Sequence, residues 1–450
     1  MAAMNAILSA ALTDGPRPTL RDAKAVRSDI ESIVRLAVFG SDKERQLARY
    51  AIHAAAPQLG AVPSSIAALY AARGRGEVSG FTVPAVNIRG TAFDMSRALF
   101  RAMKATGAAA TVFELARSEM GYTYQQPAEI ASVILAAAIA EDYQGPVFIQ
   151  GDHFQANAKK FATDPEGETR ALEDLVREAV AAQFYCIDID ASTLVDLTHE
   201  RVADQQAPNA RLTARLAKLI RELEPNGVTI SIGGEIGEVG KSNSTVEELT
   251  AYVDGFRDLV GPGIAGISKV SVQTGTTHGG IPLPDGSIAS VAIDFDTLKE
   301  MSRVGRERYG MAGAVQHGAS TLPDELFHRF PLVDTAEIHL ATGFQNMLMD
   351  HPAFPAALLK EMHAYCNGEL ANERSEGESD VQFFYKTRKK IWGPFKQQTW
   401  DIPAEIRKAL GATLQEKFEF LIRQLKADNL RETTLRYVNH APVEVVPPEA

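Results

Sequence analysis

The chain has 450 residues, 45% apolar and 23% charged, with a formal net charge of −11. Such a composition fits an ordinary globular protein, either one large domain with appendages or two or three domains. The acidic balance argues against nucleic acid or an anionic membrane as partner of the whole chain, while leaving room for a locally basic phosphate pocket. No run approaches the ~18 apolar residues of a membrane span. The start, Met1 to Leu8, lacks the basic residues of a signal peptide and is followed by Thr13-Asp14-Gly15-Pro16. Cys186 and Cys366 have no bridge or zinc-knuckle spacing, so buried reduced thiols in a cytoplasmic protein are expected.

Residues 1–80 read as an appended helical cap, with amphipathic stretches around 21–37, 42–56 and 62–73 and nothing that points to chemistry. From Phe81 the pattern becomes strand then helix. Strands are predicted at 81–87, 109–115, 146–150, 184–190, 228–232, 264–272, 312–316 and 336–340. Helices are predicted between them at about 91–106, 127–142, 167–182, 208–223, 245–259 and 295–309, with a short one from about 323 and another over 354–370. Eight such alternations, with strands that are plain apolar runs, predict an α/β fold, a (β/α)8 TIM barrel covering 81–370. An open doubly wound sheet would carry a Gly-rich phosphate fingerprint after its first strand, and none is present. Residues 371–450 read as a helical C-terminal extension, with an amphipathic helix near 404–427 and a disordered tail from Ala441.

The chemistry-bearing residues stand where the strands end. These are Asn87, Glu114, Asp152, His153, Asp188, Glu235, His278, His317 and His339. In a barrel the carboxyl ends of the strands build the active site, so four of the ten histidines fall on one rim. A lone histidine there has an even chance of being structural, whereas four are hard to explain by packing. Three imidazoles around an open fourth position form a catalytic zinc arrangement, although imidazole also suits cobalt, iron or nickel. Asp188 and Glu235 are candidate outer partners or an alternate metal position. Gly279-Gly280, Gly318-Ala319-Ser320 and Ala341-Thr342-Gly343 are small-residue loops after the last strands, where barrels commonly hold a phosphate. A metal beside a phosphate anchor points to carbon–carbon chemistry on a phosphorylated ketose. The metal would act as a Lewis acid that stabilises an enediolate, and Asp152 would move a proton on the neighbouring hydroxyl.

Over about Phe81 to Met349 the sequence resembles the class II, zinc-dependent ketose-bisphosphate aldolases. The motifs are Pro84-Ala85-Val86-Asn87, Asp152-His153, Glu235-Ile236-Gly237, Gly275-Thr276-Thr277-His278-Gly279, and His317-Gly318-Ala319-Ser320 with Ala341-Thr342. The resemblance implies His153, His278 and His317 as zinc ligands and Asp152 as the acid/base on the C4 hydroxyl. It implies Asp188 and Glu235 at positions that flank or receive the metal. Gly279, Gly318, Ser320 and Thr342 would cradle the dihydroxyacetone-phosphate end. A monovalent cation would sit against carbonyls of Thr277, Gly279 and Gly318. The chain departs from the family where His339 replaces an asparagine, Glu114 a glutamine, and Ile281-Pro282 a region that often holds lysine. No mobile glutamate base follows Glu235 in the usual place, so fructose 1,6-bisphosphate is only the default substrate.

Gly151-Asp152-His153, Ile187 to Ser192 and Trp392-Gly393-Pro394 also resemble the non-catalytic Z-type supporting subunit of tagatose-bisphosphate aldolase. A third alternative makes Lys269 the Schiff-base nucleophile of a metal-free aldolase. The helices appended at both ends point to a homo-oligomer.

Overall fold

A computed structural model describes residues 19–237, 242–275, 283, 293–438, 443 and 445. His278, Gly279, Thr277, the Glu238–Lys241 run, most of the 281–290 loop, the first 18 residues and most of the tail lie outside the described residues.

Nine parallel-paired strands form the sheet: β1 (Ala61–Pro63), β2 (Val83–Asn87), β3 (Val112–Ala116), β4 (Gly145–Gln155), β5 (Cys186–Asp190), β6 (Ser231–Gly237), β7 (Lys269–Val272), β8 (Ala314–Gln316) and β9 (Glu337–Leu340). Strands β2 to β9 pair each with the next, and β2 pairs with β9 through Val83↔Glu337 and Ala85↔His339, which closes the ring. Helices follow the strands, so the predicted (β/α)8 barrel is the observed architecture. Both faces of each strand are covered, which is why the strands read as apolar runs rather than as alternations.

Three local differences from the sequence expectation have physical causes. The stretch 62–73 is not one helix: Pro63 ends β1, which lies on β4 outside the barrel (Ala61↔Gly145), and the helix Ala67–Gly74 follows. Strand β4 continues five residues past Gln150 because its ladder with β5 resumes after a register shift between Gly151 and Phe154. A helix, Thr342–Met349, starts directly after β9, ahead of the helix Ala356–Glu369.

The helix Ala67–Gly74 plugs the N-terminal mouth of the barrel. Tyr70 and Arg73 are fully buried there, and Arg73 donates to the carbonyls of Ala312, Phe81 and Thr335. One guanidinium joins both end segments to the barrel, beside further ties such as Arg101 to Gln415 and Lys396 to Glu129. Arg407, in the C-terminal helix Ala404–Gln424, bonds Asp94 on the barrel helix Ala92–Thr106 (3.2 Å) and Glu31 on the N-terminal helix Ala23–Phe39 (2.7 Å). Both cysteines are free and buried.

Candidate active site

Two adjacent residues of a regular strand face opposite sides of the sheet, so Asp152 and His153 could not both reach one site without a distortion. The distortion is the register shift in β4, where His153 takes φ +40°. Gly151 makes it feasible, because a Cβ there would lie 2.4 Å from the Phe154 ring that folds back over it. The result places Asp152, 3% exposed, and His153 together at the C-terminal mouth.

The other groups arrive on strand ends. His153 Nδ1 lies 3.0 Å from both Asp190 Oδ2 (β5) and Glu235 Oε2 (β6). His317, just after β8, sets its ring centroid 4.2 Å from those of His153 and His339, with Nε2 2.8 Å from Ser271 Oγ. His339 on β9 faces Asp152 Oδ1 through Nδ1 (3.1 Å) and Glu337 Oε1 through Nε2 (2.7 Å). Asn87 donates to Asp152 Oδ2 and to Glu119 Oε2, each at 2.9 Å. Asp152, His153 and His317 offer donor atoms all within 4.8 Å of one another, and so do His153, Asp190 and Glu235. Half-buried His153 and buried His317, mixed with carboxylates, form a donor set that fits a divalent transition metal.

Electrostatics follow from this crowding. Burial opposes ionisation of Asp152, but the imidazoles of His153 and His339 outweigh it and hold the carboxyl well below the usual range. Burial likewise works against a proton on His153 and His339. The facing carboxylates, Asp152 and Glu235 for the first and Glu114 and Asp152 for the second, hold both imidazoles well above their ordinary value. Glu235 is pushed up to about 7 by burial and then by Asp190, against the pull of His153. Glu114 is raised well above the usual carboxylate range, chiefly by burial.

Beneath the site the barrel interior is polar. Lys269, 1% exposed, pairs with Asp188 Oδ2 (2.9 Å), with Glu337, and with Gln150 Oε1 (2.8 Å). Its proton is held above the ordinary lysine range, burial notwithstanding, by Asp188 and Glu337. A lysine that is charged and locked between two carboxylates has no lone pair to offer a carbonyl, which opposes the Schiff-base alternative. Asp188 stands 3.7 Å from His339 Nε2, so it serves this network more directly than the His153 group.

The mouth opens into a cavity of about 500 Å³. Of the residues expected from sequence, Asn87, Asp152, His153, His317, Gly318, Ser320, His339 and Thr342 line it together. Asp188 and Glu235 lie in the surrounding network, while His278 and Gly279 fall outside the described residues. Several residues of the site were not expected. Asp190 and Glu337 stand two positions from Asp188 and His339, and the period of a strand puts such pairs on one face, a signal the sequence held. Arg89, Glu119 and Lys389 also line the cavity. Glu119 sits on the short helix Arg117–Thr123, and Lys389 comes from the C-terminal extension.

Against known proteins, a model of the fructose-bisphosphate aldolase class-II family matches residues 74–421. The chain belongs to that family. No curated protein matches it significantly. Solved structures with a similar fold include a fructuronate-tagaturonate epimerase from Cohnella laeviribosi (13% identity, 88% of this chain and 86% of that one, TM-score 0.55). Another is described as a probable tagatose 6 phosphate kinase from Sinorhizobium meliloti 1021 (17% identity, 81% and 94%, TM-score 0.53). A fructose-bisphosphate aldolase from Campylobacter jejuni aligns at 16% identity over 80% and 94%, with a TM-score of 0.47. At these identities the two structures with TM-scores above 0.5 show a shared fold alone, and the chemistry of the class-II aldolase family chain has to be argued from its own residues.

Proposed function

We propose that this class-II family member is a metal-dependent aldolase that reversibly cleaves a phosphorylated ketose, by default fructose 1,6-bisphosphate, into dihydroxyacetone phosphate and an aldehyde. One observation carries the proposal: imidazoles from opposite parts of the chain, His153 and His317, lie 4.2 Å apart beside Asp152 at the floor of one cavity. His153 and His317 would hold the ion, with His278 as the third ligand implied by resemblance. Zinc is the first candidate. A divalent transition metal there supplies Lewis acidity that polarises a substrate carbonyl.

The protein's own groups do the rest. Asp152, kept ionised by its imidazole neighbours and oriented by Asn87, takes the proton of the C4 hydroxyl in cleavage and returns it in condensation. Asp188 and Glu235 flank the ion or offer it an alternate position. Gly279, Gly318, Ser320 and Thr342 receive the phosphate of the three-carbon product, and His339 fixes Asp152 from the opposite side. A monovalent cation beside Thr277, Gly279 and Gly318 would assist. We further propose a division into 1–80, 81–370 and 371–450, a cytoplasmic location and a homo-oligomer. No described helix is long and apolar enough to cross a membrane.

The test is metal analysis of the isolated chain coupled to a screen of phosphorylated ketoses for triose-phosphate release. Bound transition metal with chelator-sensitive cleavage is expected. Full turnover after metal stripping contradicts the proposal, and a metal-free, inactive chain favours the supporting-subunit alternative.

A further inference from the structure

The C-terminal extension enters the active-site cavity. The segment Arg388–Ile391 and the residues after it lie across the rim, with Trp392 buried to 2% exposure. The Trp392 ring rests on Gly90, in the loop after β2, so closely that a Cβ at Gly90 would stand 2.3 Å from it. Its indole N–H donates to Gln345 on the helix after β9 (3.0 Å), and Gly393 N donates to the carbonyl of Tyr122 on the helix after β3 (3.0 Å). Three catalytic-face elements thus grip this segment, and it carries Lys389 to the cavity wall.

Arg89 lines the same cavity and reaches Thr342 Oγ1 through Nη1 (3.1 Å), at the start of the helix Thr342–Met349. Both cations line this cavity, and Arg89 is among the charges that act on Lys389. Glu119 serves Arg89 at 2.5 Å, but it also accepts from Asn87 and from the Ala116 N–H, each at 2.9 Å. Lys389, exposed at the cavity mouth, has no carboxylate in ion-pair contact among the described residues, whereas its neighbour Lys390 is held by Glu373 at 2.6 Å. Partial shielding of its side chain by the cavity wall, and then the charges of Arg89 and Lys390, pull its ammonium below the ordinary lysine range. An anion bound between the two cations would relieve that repulsion and complete the pairing.

We propose that Lys389, delivered by the C-terminal extension, joins Arg89 and Thr342 in a clamp for the phosphoryl group of the substrate. This deepens the reading of the cavity as a sugar-phosphate site and rests on it. A lysine serves as a mobile point charge that can close on a dianion, while Arg89, fixed by Glu119, orients it. The extension would then be part of the active site rather than an appendage to it.

The test is calorimetric titration of the full-length chain with inorganic phosphate, and separately with acetate, at constant ionic strength. Lys389→Met should weaken phosphate binding about tenfold, while Lys389→Arg restores most of it and Lys390→Met leaves it unchanged. The Lys389 variants should melt at the wild-type temperature, because residue 389 is exposed. Phosphate binding that is unchanged in Lys389→Met, absent from the wild-type chain, or weaker than acetate binding would overturn the clamp. Phosphate binding needs no turnover. A chain without aldolase activity but with Lys389-dependent binding supports the clamp while contradicting the proposed reaction, and an active aldolase with Lys389-independent binding does the reverse.

Discussion

His153 holds a left-handed backbone that a residue with a side chain adopts at a cost of order 1–3 kcal/mol, and it does so where the site needs two neighbouring side chains on one side. Asp152 is the group that this arrangement frees for proton transfer. Asp152→Asn should keep the fold and bound metal but lower kcat by about 10² to 10⁴, as measured by steady-state cleavage assays; near-wild-type kcat would remove it from the reaction. Lys269 makes a different kind of contribution. Lys269→Met strands Asp188 and Glu337 in the barrel interior, and denaturant melts should report a loss of about 3–5 kcal/mol. Borohydride treatment with substrate separates the readings: no adduct is expected at Lys269, and a covalent adduct there would make it the Schiff-base nucleophile.

Among the elements, the strand ends were legible and the rim was not. Runs such as Val147 to Gln150 stop abruptly at Asp152-His153, and that contrast marks both the strand and the site. His317 and His339 stood out in the same way. The bulge in β4 was hidden, since nothing in Gly151-Asp152-His153-Phe154 announces a register shift until β5 is in place. The helix Arg117–Thr123 escaped because seven mostly polar residues carry no apolar period, and Glu119 went with it. Lys389 escaped because its position depends on Trp392 meeting Gly90, a contact between distant parts of the chain. That contact is itself testable. Gly90→Val would displace Trp392, and the variant should lose about 1–3 kcal/mol in melts together with activity, since the same loop carries Arg89 and starts from Asn87 at the end of β2. An unperturbed Gly90→Val protein would mean that the segment is not seated on that loop.

For the whole molecule, polar groups link the end segments to the barrel and make its stability depend on pH. His53, on the N-terminal helix Asp42–Gln58, is buried and hydrogen-bonded through Nδ1 to Gln183 (2.7 Å), ahead of β5. Burial brings its pKa down to about 4 from an ordinary 6.5. The folded state therefore refuses a proton that the unfolded chain accepts, so this contribution is complete above pH 6.5 and is lost as pH falls towards about 4. The loss is on the order of 3 kcal/mol, visible as a falling Tm over that window. His53→Gln should flatten that part of the pH profile, and an unchanged slope would assign the acid sensitivity elsewhere.

The account depends most on imidazoles from β4 and from the end of β8 sharing one cation. Metal stoichiometry in His317→Ala, measured beside wild type with cleavage activity on the same samples, tests this most directly. Wild type should carry about one transition-metal ion per chain, and the variant should lose both the ion and cleavage while keeping its fold. A folded His317→Ala chain that retains the wild-type metal content would contradict the account.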